Sequence, residues 1–258
     1  MSAEESSKLK EQKLLDTIFS LPEEDLNEIR GKPEKVLETI DRYTNELSLS
    51  MNVGPYKAKI VNEKIEEVSP KLMVELGCYL GYSAIQFASH LTAPGARYYS
   101  FEVNPVFAGI ARKLIDLAGL SQKVEIIVGK ASESLIAFSE NLLDKKKGYV
   151  AFDFIFIDHW KDLYVPDFRL MESLNLIAPG TIIAADNIFK PGVPDYVNYV
   201  NGSPEERRNF NQNTPNIDGA AYVGRWNILY ESETVISKNS RGDKDGVEIT
   251  KCLEYLNG

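Results

Sequence analysis

A regular alternation of short apolar runs and helical patterns between residues 72 and 185 constrains this chain more than any other feature. The runs 72–76, 97–101, 124–128, 152–157 and 181–185 are separated by helical periodicity over 82–91, 106–118, 132–143 and a stretch ending at 174. Apolar runs this short suit strands buried on both faces. Strands joined by helices run parallel, because antiparallel neighbours need only a tight turn. The expectation is an α/β fold with a mostly parallel sheet and helices on both faces, completed to seven strands by 226–236 and 247–253 with a polar turn at 238–246.

Ahead of the sheet, apolar stripes at helical spacing predict helices packed on the core. Leu14, Leu15, Ile18 and Phe19 form one stripe. Val36, Leu37, Ile40, Tyr43 and Leu47 form another after Lys32-Pro33, where proline suits a first helical turn. A third helix is expected over 56–68 with Tyr56, Ile60 and Ile65 inward. Residues 1–258 then read as a single domain, with 1–50 as a helical extension packed on it. Residues 201–224, rich in Asn, Pro, Gly and charge, read as a long loop insertion.

Composition narrows the function. Lys plus Arg number 29 against 38 Asp plus Glu, a net charge of −9, which argues against a nucleic-acid binder that works by neutralising phosphates. Two cysteines and two histidines make neither a disulfide framework nor a Cys- or His-based metal site, so any metal would be held by oxygen. The polar start over 1–12 and the shortness of the longest apolar run, 176–185, against the ~20 residues a membrane span needs, point to a cytoplasmic protein without membrane partners.

In open parallel sheets, ligands bind at the carboxyl ends of the strands. The first expected strand leads into Glu75-Leu76-Gly77-Cys78-Tyr79-Leu80-Gly81-Tyr82-Ser83, and the second ends at Glu102, 21 residues after Gly81. Glycines allow close backbone approach, and an acidic residue about that far on suits ribose hydroxyls. The spacing is not G-x-G-x-x-G, so a dinucleotide pyrophosphate is not supported. Glu75 within the first turn suits the sulfonium cation of S-adenosylmethionine better. The fourth and fifth strands end in Asp158-His159-Trp160-Lys161-Asp162 and Asp186-Asn187. If those strands are neighbours, Asp158, Asp186 and Asn187 offer three oxygen donors to a hard cation such as Mg²⁺. Asp158 alone would serve equally as a helix cap. Lys161 lies within reach of the same spot, and like charge from a divalent ion would favour its neutral, proton-accepting form.

Several of these segments, in order, closely resemble the catechol O-methyltransferase family. They are Met51-Asn52-Val53-Gly54, residues 75–84, Phe101-Glu102-Val103-Asn104-Pro105, residues 156–167, Ala185-Asp186-Asn187 and Pro191-Gly192-Val193-Pro194-Asp195. The resemblance runs from about residue 11 to 199. It implies a Rossmann-like class I methyltransferase fold and Mg²⁺-dependent transfer of a methyl group from S-adenosylmethionine to one hydroxyl of a catechol. It also implies residue roles. Val53, Glu75, Gly77, Tyr79, Ser83, Glu102, Val103, Ser132, Asp158, His159 and Trp160 would bind the methyl donor. Asp158, Asp186 and Asn187 would hold the metal, and Lys161 would be the general base. Met51, Trp160, Lys161, Asn187 and Pro191 would bind the acceptor.

Two departures bear on the acceptor. The family usually places a tryptophan two residues before the methionine of Met51-Asn52-Val53-Gly54, where this chain has Leu49. The family also holds the second catechol hydroxyl with a late glutamate, for which Glu233, or Glu231, is the candidate here. A related Mg²⁺-dependent enzyme of caffeoyl-type acceptors shares most of these features. A non-catalytic S-adenosylmethionine-binding protein and a nicotinamide-dependent dehydrogenase are further readings, since fold does not settle function.

Overall fold

A computed structural model describes residues 3–49, 53–141 and 150–257. Its central sheet has seven strands in the order β3-β2-β1-β4-β5-β7-β6. These are β1 (Leu72–Leu76), β2 (Arg97–Glu102), β3 (Val124–Val128), β4 (Phe154–Ile157), β5 (Ile182–Ala185), β6 (Ile228–Lys238) and β7 (Lys244–Tyr255). The first five run parallel, and β7 pairs antiparallel with both β5 and β6. This is the Rossmann-like class I methyltransferase architecture.

Strand alternation divides the core into two layers. Met73, Tyr98, Phe154, Phe156, Ile182 and Ala184 face one layer, beneath α1 (Ala3–Phe19), α3 (Pro33–Glu46), α4 (Gly54–Val68), α5 (Tyr82–Ser89) and α6 (Pro105–Leu117). Their neighbours Val74, Phe101, Ile155, Ile157, Ile183 and Ala185 face the other, against α7 (Ala131–Asn141), α8 (Tyr164–Ser173) and α9 (Pro194–Asn201). Every residue of β4 and β5 is buried, which is why both read as unbroken apolar runs. Asp153 fixes the register at the sheet's lower edge by accepting from the amides of Lys71 and Leu72, both at 2.8 Å.

Three expectations are corrected. Residues 201–224 are not one long loop, because α10 (Pro204–Asn213) lies within them. Ser203 and Glu206 form a capping box around its first turn, with Pro204 at the first helical position. The helix lacks an apolar stripe, and its buried residues are Arg207 and Asn211, so apolar periodicity could not reveal it. Tyr56 points outward at 58% exposure, while its neighbour Lys57 is buried in α4. Finally, β6 lies two residues later than expected and β7 is longer than expected, so only 239–243 are left as their turn. An unanticipated short helix, α2 (Glu23–Ile29), completes the N-terminal cluster. Among the described residues, no helix is long and apolar enough to cross a membrane.

Candidate active site

Adjacent β1 and β4 send the chain to opposite sides of the sheet, β1 toward β2 and β4 toward β5. A crevice opens beyond the carboxyl ends of such a pair. The 77–83 turn forms one lip and residues 158–161 form the other. Gly77 has φ 97°, and a Cβ there would lie 2.6 Å from the carbonyl oxygen of Asp158. Only glycine lets the two lips close this tightly.

Glu102 pins the first lip. Its Oε2 accepts from the amides of Cys78 (3.2 Å) and Tyr79 (2.8 Å), and its Oε1 accepts from Asn104 N at 2.8 Å. A carboxylate offers about four lone-pair sites, so three backbone donors leave capacity for one more. Glu75 sits lower and is fully buried, accepting from Ser100 Oγ at 2.6 Å. Burial pushes its carboxyl up to about 7 against the pull of Ser100 and Ser83. Tyr79 packs edge-on against Phe107 and donates through its hydroxyl to Glu11 Oε1 at 2.7 Å, tying α1 to the lip. Ser83 and Val53 are buried, Ser132 lies in the first turn of α7, and Val103 stands exposed on the rim.

The second lip carries the polar cluster. Lys161 Nζ donates to Asp158 Oδ1 (2.8 Å), Asn187 Oδ1 (2.7 Å) and Tyr164 Oη (2.9 Å). Oxygens from the ends of two neighbouring strands thus converge on one cationic atom. Asp186 is buried beside them, where its Oδ1 accepts from the amide of Asn187 at 2.7 Å. Burial, with the charge of Asp158 added, pushes Asp186 up to about 7, and Lys57 limits the rise. His159 stacks on Tyr164, ring centroids 5.2 Å apart, and its Nε2 lies 2.6 Å from Asp167 Oδ2. Trp160 is 72% exposed, an apolar ring held open at the mouth of the crevice. Pro191 is exposed just beyond Asn187.

Two residues of this cluster escaped the sequence analysis. Lys57 Nζ, from α4, lies 2.6 Å from Asp186 Oδ1 and 2.7 Å from Asp245 Oδ2. Burial alone would lower its pKa, but the two carboxylates outweigh that and hold it above the ordinary lysine value. Asp245, at the start of β7, also accepts from Asn187 Nδ2 and from the amides of Phe189 and Lys190, each at 3.3 Å, so it shapes the turn after β5. A signal for Lys57 was present: it occupies the inward stripe of α4 with Ala58, Val61 and Ile65. A charge on an apolar face implies a buried partner. Asp245 precedes Gly246 and so passed for an ordinary turn residue.

Not every expected residue joins the cluster. Glu233 is exposed on the edge strand β6, in register with Ile249, which pairs in turn with Ala184, short of the strand tips. Glu231 lies further back still, opposite Lys251. Leu49 packs against the first core layer. Met51 falls outside the described residues. Among the described residues, no three His, Cys, Asp or Glu side chains gather as a metal site; the set here is two carboxylates and a carboxamide.

This site sits within a chain that matches the O-methyltransferase family model over residues 27–212. Catechol O-methyltransferase of Mus musculus is 46% identical over 173 residues, covering 67% of this chain and 63% of the mouse protein. The catechol O-methyltransferase of Bos taurus is 39% identical over 194 residues, covering 75% and 67%. Among solved structures, an O-methyltransferase from Bacillus cereus in complex with SAH superposes with a TM-score of 0.60 at 26% identity, over 84% of this chain and 90% of that one. The chain belongs to the O-methyltransferase family, in its catechol-type, S-adenosylmethionine-dependent branch. It spans just under two thirds of the mouse relative's length.

Proposed function

We propose that residues 1–258 act as a single methyltransferase domain that transfers the methyl group of S-adenosylmethionine to one hydroxyl of a catechol with the help of Mg²⁺. The observation that carries this reading is the convergence of Asp158 Oδ1 and Asn187 Oδ1 on one cation-sized position, with buried Asp186 beside them at the edge of the β1/β4 crevice. Two carboxylates and an amide oxygen, all hard donors, suit Mg²⁺ with water and acceptor oxygens completing the octahedron. The crevice suits the methyl donor: Glu102 keeps a free lone pair for a ribose hydroxyl, and Gly77 lets the two lips approach closely.

S-adenosylmethionine would supply an electrophilic methyl on a positive sulfur, which leaves as a neutral thioether when the acceptor oxygen attacks in line. Mg²⁺ would supply acidification of the acceptor hydroxyls, which as free phenols near pKa ~10 are poor nucleophiles at neutral pH. Asp158, Asp186 and Asn187 would hold the ion, and displaced from its present bonds, Lys161 Nζ would take the acceptor proton. Trp160 and Pro191 would wall the ring. Because attack merges an anion with a cation, exclusion of water from the crevice would favour it. Glu233, on the outer strand β6, would be the candidate to hold the second hydroxyl.

Incubation with S-adenosylmethionine and catechol, with Mg²⁺ and with excess chelator, tests the reading. Methylated product that disappears on chelation and returns with Mg²⁺ is expected. Undiminished activity after complete metal removal would overturn the roles of Asp158, Asp186 and Asn187.

A further inference from the structure

A cavity of about 250 Å³ opens on the flank of Lys161. Lys161 and Asp162 border it on one side, Val193 and Pro194 on another, and Phe210 and Ile217 close it from the 201–224 segment. Ile217 lies beyond the residues matched by the family model and is 71% exposed, a large apolar side chain held in water. Asn216 fixes this wall in place by donating to the carbonyls of Pro166 (3.1 Å) and Tyr222 (2.7 Å). The wall is thus anchored to α8 and shares the cavity with the lysine proposed as base.

Charge selects the occupant. The Arg169 guanidinium at the cavity is already engaged with the carbonyls of Val223 and Asn211 and lies over the ring of Phe210. Lys161 is engaged with Asp158. Asp162 and Asp195 remain as acidic lining, which disfavours an anionic group. In size, an apolar cavity of about 150 Å³ holds benzene, so a ring fits here with room to spare.

Resting on the methyl-transfer reading above, we infer that this cavity is a specificity pocket for the acceptor, taking an uncharged, ring-sized apolar substituent of the aromatic diol. Phe210 and Ile217 are the specificity-determining residues. Burying such a group should raise kcat/KM for 4-phenylcatechol over unsubstituted catechol by at least about tenfold.

The test compares these two acceptors with the full-length protein and with Ile217→Asp and Phe210→Ala. It measures kcat/KM, and separately the equilibrium binding of each diol with Mg²⁺ and S-adenosylhomocysteine present. The inference expects 4-phenylcatechol to be preferred in both readouts and the preference to collapse in both variants. Ile217 is exposed, so Ile217→Asp should fold even if Phe210→Ala does not. Equal kcat/KM for the two diols, or a preference that survives Ile217→Asp, would overturn the pocket while leaving methyl transfer intact. Preferential binding of 4-phenylcatechol without methylation would uphold the pocket and refute the transferase reading. Absence of preferential binding would overturn the pocket.

Discussion

Lys57→Met offers a sharp test of how the cluster behind the site is held. Lys57 is 1% exposed and lies between Asp186 and Asp245, themselves 1% and 0% exposed. Methionine nearly preserves the side-chain volume, so the loss is electrostatic: two buried carboxylates lose their shared cation. Removing one partner of a buried ion pair typically costs about 3–5 kcal/mol, because the partner left behind is an uncompensated charge. For a chain of this size each kcal/mol corresponds to roughly 2–4 °C, so the melting temperature of the metal-free protein should fall by about 10 °C. The deficit should also depend on pH. The carboxyl of Asp186 is pushed up to about 7 in the folded protein from an ordinary value of 3.8. A group raised in this way stabilises below its unfolded pKa and loses that contribution as pH rises through the folded one. Without Lys57 the rise is larger, so the gap between wild type and variant should widen from pH 5 to pH 8. This comes on top of the loss of the Lys57–Asp245 pair, which is present at both because Lys57, against the effect of burial, holds the Asp245 carboxyl below its ordinary value. Chemical denaturation of both proteins at the two pH values measures this. A deficit below about 1 kcal/mol, or one independent of pH, would refute the view that Lys57 compensates these carboxylates.

Lys161→Ala should lower kcat by about 10²-fold or more, while the affinity for S-adenosylhomocysteine by calorimetry stays unchanged; equal losses in both would count against a proton-accepting role. For Glu75, burial raises the carboxyl from 4.5 to about 7. Its contribution to stability is therefore complete below pH 4.5 and fades as pH climbs to about 7, a loss of about 3 kcal/mol. Glu75→Gln should flatten that slope in pH-dependent denaturation, and an unaltered slope would show that Glu75 is not its source.

The fold was legible because the sheet is central and buried. With both faces covered, β1, β4 and β5 announce themselves as apolar runs, and β1 and β3 fall on the expected residues. Where burial gives way to hydrogen bonding, the signal fades. Helix α10 is anchored by Arg207, which donates to the carbonyls of Trp226 and Ile228, and by its capping box, and neither leaves an apolar stripe. Asp158, Asp186, Asn187 and Lys161 were visible as polar residues at strand ends, where a parallel sheet gathers them. Lys57 and Asp245 are long-range partners, 188 residues apart, and their pairing depends on β7 folding back beside β5. Local pattern does not carry such a contact. The cavity wall formed by Phe210 and Ile217 was hidden for the same reason, since these residues come to share a cavity with Lys161 only through tertiary packing.

The central claim is that Asp158, Asp186 and Asn187 gather one hard divalent cation beside the cofactor crevice. Mn²⁺ titration followed by electron paramagnetic resonance, on the wild type and on Asp158→Asn, Asp186→Asn and Lys161→Ala, tests it directly. The expected result is one bound ion per chain, displaceable by Mg²⁺, lost in both aspartate variants and retained in Lys161→Ala, where no ammonium competes for Asp158 and Asn187. Undiminished Mn²⁺ binding in the two aspartate variants would contradict the claim.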